Sequence, residues 1–203
     1  MRKEILTEEQ LRFLPMIKSF SDDFGLVGGT AMALQIGHRR SVDFDLFTNK
    51  SFGNLAIQKK IKRFTAIESV LIWETEELTF VAGGVKFTFF RYPYKISYSE
   101  NLNDVIKLPD ILTLAAMKSF SLGRRAKWKD YVDLYFVMKD YYDLREIVKR
   151  AENVFSSEFN EKTFRSQLAY FDDIDYTEEV IYMEGFKTEN EIIKKKLIEH
   201  SLS

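Results

Sequence analysis

The sequence predicts an α+β protein in two parts: a small mixed sheet with attached helices over residues 1–100, then an α-helical region over 101–203. Three observations carry this prediction. The stretch Ser41–Phe47, SVDFDLF, alternates apolar and acidic residues with the period of two that a strand requires. Three β-type runs then follow one another, AIESVLIW (66–73), ELTFVA (77–82) and VKFTFFRY (85–92), the last two joined by the hairpin signal Gly83-Gly84. From Pro109 onward the apolar residues recur instead every three to four positions, the spacing of helices.

Each element has its own local warrant. Thr7 can cap a first helix whose face is Leu11, Leu14, Ile17, Phe20 and Phe24, and Pro15 is placed to kink it. GLV (25–27) is short and apolar, Gly28-Gly29 follows, and TAMALQI (30–36) reads as a short helix ended by Gly37. In the 41–47 strand, Val42, Phe44 and Leu46 form one face and Asp43 and Asp45 the other. Leu55, Ile57, Ile61 and Phe64 predict a helix from Asn54 to Phe64. The boundary between the two parts falls within 93–108. Helices are then expected over 109–122, stopping at Gly123, over 126–140, and near 144–154, 160–171 and 189–199.

Composition narrows the chemistry. At 203 residues, 45% hydrophobic and 15% aromatic, the chain has material for a core. Its 30 basic and 31 acidic residues leave no overall field to draw it to nucleic acid or a membrane, so any basic surface is local. The absence of cysteine excludes disulfides, thiolate metal sites and a cysteine nucleophile; two histidines, His38 and His200, exclude a histidine-rich metal site. A metal would have to be held by oxygen. The opening MRKEILTEEQLRFL lacks the apolar core of a signal peptide, and no run approaches the ~18 apolar residues of a membrane span, so a soluble cytoplasmic protein without membrane contact is expected.

Asp43 and Asp45 stand two apart on a strand and project side by side, a geometry that can hold divalent cations. Two hard oxygen ligands suit Mg²⁺, or Mn²⁺ in its place, with the remaining ligands drawn from waters and substrate phosphates. A bare D-x-D is otherwise a solvated strand face. Gly28-Gly29-Thr30 opens a helix, where unpaired N–H groups and the positive dipole end attract an anion and glycine lets it approach closely. Alone, such a turn is structural, and it is neither a P-loop nor a dinucleotide loop. The order of strand, glycine turn, short helix and D-x-D strand is what suggests a single phosphate and metal site.

Further candidates lie beside and beyond this stretch. Lys118 falls on the apolar stripe Ile111, Leu114, Ala115 and Leu122, where a charge either finds a partner or phosphate or extends to water along its stem. Asp130 and Asp133 share a helix face, and local pairing with Lys127 or Lys129 accounts for Asp133. RRAKWK (124–129) places Arg124 and Arg125 either against phosphates of a nucleotide or RNA or in a solvated turn, while Trp128 reads as core. In His38-Arg39-Arg40, Arg40 could reach a triphosphate, Arg39 reads as exposed, and His38 is a conceivable general base.

The succession of GG[ST] and D-x-D resembles the nucleotidyltransferase superfamily that includes DNA polymerase β. The fuller pattern GGTAMALQIGHRRSVDFDLF, with MKSFSLGRRAKWKDYVDLYF (117–136), is similar to the AbiEii/AbiGii toxin family, over about Phe24 to Met138. This resemblance implies that Asp43 and Asp45 hold Mg²⁺ and that Gly28 to Thr30 contact the triphosphate. It also implies that Lys118 and Asp130 bind nucleotide phosphates and complete the acid set. The implied activity moves a nucleotide from an NTP to a hydroxyl acceptor, an RNA such as the tRNA 3′ end, as a toxin countered by an antitoxin encoded elsewhere. One departure stands out: a third carboxylate is usual on a later strand, yet VKFTFFRY has no acid, and Glu74, Glu76 and Glu77 lie at a turn. That departure motivates a second reading, a catalytically degenerate module that binds NTP or RNA.

Overall fold

The computed structural model of the chain describes residues 1–203 except Gly123. It divides into two compact units, Met1–Gln35 with Ser41–Asp110, and Ile36–Arg40 with Ile111–Ser203.

In the first unit, α1 (Glu8–Ser19) is started by a capping box: the Thr7 hydroxyl accepts the Gln10 N–H, and the Gln10 side chain accepts the Thr7 N–H. Its buried residues are Gln10, Met16 and Ile17, followed by Phe20, while Leu11, expected on the apolar face, is exposed. There follow β1 (Gly25–Val27), α2 (Gly28–Ile36), β2 (Phe44–Thr48), α3 (Asn54–Ile61), β3 (Ser69–Glu74), β4 (Glu77–Ala82) and β5 (Val85–Arg91). The sheet order is β1-β2-β5-β4-β3, with β2 and β5 parallel and the other pairs antiparallel. Gly83 and Gly84 both adopt positive φ, as a two-residue turn between β4 and β5 demands, and the Glu68 carboxylate accepts the Gly83 N–H at 2.7 Å.

Several boundaries differ from expectation. Helix α2 begins at Gly28 rather than Thr30, and β2 at Phe44 rather than Ser41, which leaves Val42 exposed and Asp43 just ahead of the strand. Helix α3 stops at Ile61, so Phe64 points to water. A hairpin of β6 (Glu100–Leu102) and β7 (Ile106–Leu108), absent from the sequence reading, lies beside β1; strands of three residues are too short to show alternation.

The two faces of the sheet differ in chemistry. One carries buried Phe44, Phe80, Phe87 and Phe89, with Phe87 stacked on Phe80 and Phe44 at centroid distances of 5.1 and 5.6 Å. The alternation of β2 and β5 sends Asp45, Lys86 and Thr88 to the other face.

The second unit contains α4 (Ile111–Leu122), α5 (Trp128–Asp140), α6 (Leu144–Phe155), α7 (Glu161–Leu168) and α8 (Asn190–Ser201). The expected stop of α4 at Gly123 lies outside the described residues. Helix α6 packs on α4, where Phe120 and Phe155 stack at 4.0 Å, and α8 packs on α5. Trp128 is buried, and every residue of α5 from Asp130 to Met138 is buried, so this helix runs through the unit's core. Among the described residues no helix is long and apolar enough to cross a membrane.

Candidate active site

The glycine turn and the D-x-D pair meet in the first unit. Gly28, the first residue of α2, has φ +72°, and a Cβ built on it would lie 2.1 Å from Asp45 Oδ2. The Asp45 carboxylate therefore rests directly on the Gly28 backbone, and glycine is required there for both the left-handed φ and the space. This places the carboxylate at the positive end of the α2 dipole. Thr30 ties the two motifs together from within. Its side chain is buried, and its hydroxyl donates to the Asp43 carbonyl, leaving the oxygen to accept from Ser41 Oγ at 3.0 Å. The Thr30 hydroxyl is thus engaged in positioning Asp43.

Lys86, a residue the sequence reading passed over, stands beside this pair. Its Nζ lies 2.7 Å from Asp43 Oδ2, with both side chains about one third exposed. The parallel register pairs Phe44 with Phe87 and Asp45 with Thr88, so Lys86 and Thr88 are the strand neighbours of the two aspartates. Period-two alternation in VKFTFF already put Lys86 on the polar face, but its proximity to Asp43 depends on a pairing between strands some forty residues apart. Among the described residues no group of three or more acidic or histidine side chains forms a metal cluster. Two adjacent carboxylates still fit Mg²⁺, which commonly takes one or two from protein and the rest from water and phosphate.

In the second unit the second motif forms a buried charge network centred on Asp133. Asp133 Oδ1 accepts from His38 Nε2 at 2.6 Å and Arg39 Nε at 2.7 Å; Oδ2 accepts from Arg39 Nη2 at 2.8 Å and Lys118 Nζ at 2.7 Å. Four donors fill the lone-pair directions of one carboxylate. Lys118 also donates to Asp130 Oδ1 at 2.5 Å, and Arg125 Nε donates to Asp130 Oδ2 at 3.2 Å. Lys118 thus finds partners and does not extend to water. Two expectations are corrected: Arg39 is 2% exposed rather than on the surface, and Asp133 pairs with Arg39, Lys118 and His38 rather than with Lys127 or Lys129. Burial by itself would raise the Asp133 carboxyl, but Arg39, Lys118 and His38 hold it well below the usual carboxylate range.

His38 has no place as an accessible general base, being fully buried. Burial holds its imidazole below the ordinary value, against the opposing pull of Asp133. With the proton on Nε2 for Asp133, Nδ1 has no hydrogen-bond partner, so protonating it would bury an unsatisfied N–H. The unfolded chain then takes up the proton first as pH falls. Stability contributed by neutral His38 is complete above its unfolded pKa of ~6.5 and declines below it, by at most about 1.4 kcal/mol per pH unit. Urea melts between pH 7.5 and 5 are expected to show this decline, and His38→Gln is expected to flatten it.

The basic segment 124–129 is largely paired within its unit. Arg124 lies over the Phe120 ring at 4.0 Å and 3.7 Å from Glu158, while Lys127 and Lys129 both reach Glu178. Lys127 is the main influence drawing the Glu178 carboxyl down to about 2. Arg124 and Arg125 keep more than half of their side-chain surface in water, whereas Lys129 is mostly covered. The Arg40 backbone N–H donates to the Ile181 carbonyl at 2.8 Å.

A carboxylate seated on a helix N-terminus, two residues from a second one, is an arrangement that suits a metal-bound phosphate, and the comparisons agree with that chemistry. A family model described as nucleotidyl transferase AbiEii toxin, type IV toxin–antitoxin system, matches residues 12–191, and the chain belongs to this family. It is a nucleotidyltransferase enzyme of the toxin–antitoxin kind. The match continues through α6 and α7 to the start of α8, well past Met138, where the recognisable motifs ended. An uncharacterized protein of Aquifex aeolicus is 33% identical over 180 residues, covering 85% of each chain. Two solved structures share the fold. The nucleotidyltransferase toxin MenT4 of Mycobacterium tuberculosis has a TM-score of 0.62 at 12% identity, over 95% of this chain and 81% of that one. JHP933 of Helicobacter pylori has a TM-score of 0.57 at 17% identity, over 97% and 92%.

Proposed function

We propose that the chain moves a nucleotide from an NTP to a hydroxyl of RNA, the tRNA 3′ end being the acceptor, with Mg²⁺ or Mn²⁺ held by Asp43 and Asp45. In this reading it acts in the cytoplasm as a toxin opposed by an antitoxin encoded elsewhere. The observation that supports it most is the seating of Asp45 on Gly28. It brings a metal-ligating oxygen and the anion-attracting end of a helix to one place, as a metal-bound triphosphate requires. The bound ion supplies charge neutralisation at the phosphates and polarises the reacting centre. Gly28, Gly29 and Thr30 offer backbone N–H groups to phosphate oxygens, and the Thr30 hydroxyl keeps Asp43 in place. In the helical unit Lys118 and Asp130 serve the phosphates as a pair: Asp130, neutralised by Lys118, orients the half-exposed Arg125. Arg40 and Arg124 add cations for nucleotide or RNA.

A second reading, a module that binds NTP or RNA without turnover, is favoured by one observation: an ion pair with Lys86 occupies Asp43, and β5 carries no acid. The experiment that separates the two is incubation with Mg²⁺, total cellular RNA and each labelled NTP in turn. Transfer predicts that label from at least one NTP enters a discrete RNA band of tRNA size. Protein that binds NTP yet labels no RNA with any of the four is the binding module.

A further inference from the structure

Lys86 stands beside Asp43 on β5, a strand without an acidic residue. We propose that its ammonium replaces a second divalent cation, so that the site holds one metal ion with its NTP rather than two. The inference rests on the metal-dependent reading above. Three features lead to it. The parallel register sets Lys86 and Thr88, neither of them acidic, alongside Asp43 and Asp45. Lys86 Nζ lies 2.7 Å from Asp43 Oδ2 and so already engages one oxygen of that carboxylate. A second cation on that carboxylate would meet the ammonium as a like charge, which disfavours its entry. In the helical unit, Asp130 is 3% exposed and accepts from both Lys118 and Arg125, so its oxygens are already committed.

A fixed ammonium is a consistent substitute on electrostatic grounds. It offsets part of the carboxylates' negative charge before substrate arrives, while Asp43 and Asp45 remain the ligands for the one incoming ion. Once a metal-bound triphosphate is seated, the same ammonium can donate to a phosphate oxygen, which a second metal would otherwise neutralise.

The test counts Mn²⁺ by electron paramagnetic resonance in complexes with the α,β-methylene analogue of each NTP, which cannot react. Wild-type protein is expected to bind one Mn²⁺ per chain in the ternary complex. Lys86→Glu, which supplies the missing carboxylate, is expected to bind two. Lys86→Met is expected to keep one while weakening the analogue about tenfold, the loss of one charge-assisted hydrogen bond. Lys86 is about one third exposed, and circular dichroism confirms that each variant is folded before it is counted. Two Mn²⁺ in the wild-type complex, or one in Lys86→Glu, overturns the single-ion proposal and leaves the transferase reading standing. Wild-type protein that binds neither Mn²⁺ nor any analogue overturns both.

Discussion

Asp133→Ala is expected to cost the protein a large share of its stability, about 3–5 kcal/mol, because it strands the buried charges of Arg39 and Lys118. Arg39 is 2% and Lys118 6% exposed, so water cannot take over the solvation that Asp133 provides. Arg39 loses both of its contacts to the carboxylate, while Lys118 keeps Asp130. Against a typical domain stability of about 5–15 kcal/mol, a loss of this size leaves a large unfolded fraction at moderate urea. The double variant Asp133→Ala, Arg39→Met removes the stranded guanidinium and is expected to recover part of the loss, so that the two single effects do not add. Equilibrium urea unfolding of the single and double variants measures this. Additive losses, or a loss below about 1 kcal/mol as for a surface ion pair, would show that Asp133 is not the centre of the network. Lys127→Ala, on the half-exposed pair with Glu178, belongs to that small-effect class.

Asp43→Ala and Asp45→Ala are each expected to lower nucleotide transfer by at least ~10³-fold, since metal ligands contribute several kcal/mol of transition-state charge stabilisation. The fold should persist, because neither side chain is in the core and the sheet is held by Phe44, Phe80, Phe87 and Phe89 on its opposite face. The two variants should differ in one respect. Asp45→Ala removes the carboxylate resting on Gly28 and should abolish Mn²⁺ binding with the NTP analogue, whereas Asp43→Ala removes a carboxylate already paired with Lys86 and should weaken it less. Initial rates of labelled NTP incorporation, with thermal melts as the folding control, decide this. Transfer retained within tenfold in both variants would remove Asp43 and Asp45 from the reaction.

Local patterns in the chain were enough for most elements, and they singled out every candidate residue of the first unit except Lys86. Gly83-Gly84 marked its hairpin because a two-residue turn needs positive φ at both positions. The helices of the second unit followed from apolar spacing, and the D-x-D pair from alternation. Errors arose where a residue's environment is set by distant chain. Leu11 and Val42 fit the local period but find no neighbour to bury them. Arg39 looked like a surface residue in HRR because nothing near it in sequence announces Asp133, 94 positions away.

The sequence by itself determined the α+β class, the glycine turn, the D-x-D motif and membership of the nucleotidyltransferase toxin family, since each depends on residues within a few turns or strand repeats of one another. Only the tertiary structure decided that Asp45 lies on Gly28, that Lys86 faces Asp43 across a parallel strand pair, and that His38, Arg39 and Lys118 converge on Asp133. The physical reason is common to all three. A buried or half-buried charge is tolerated only where other chain segments bring its partner within hydrogen-bonding distance, and that distance is a property of the folded chain rather than of any local stretch.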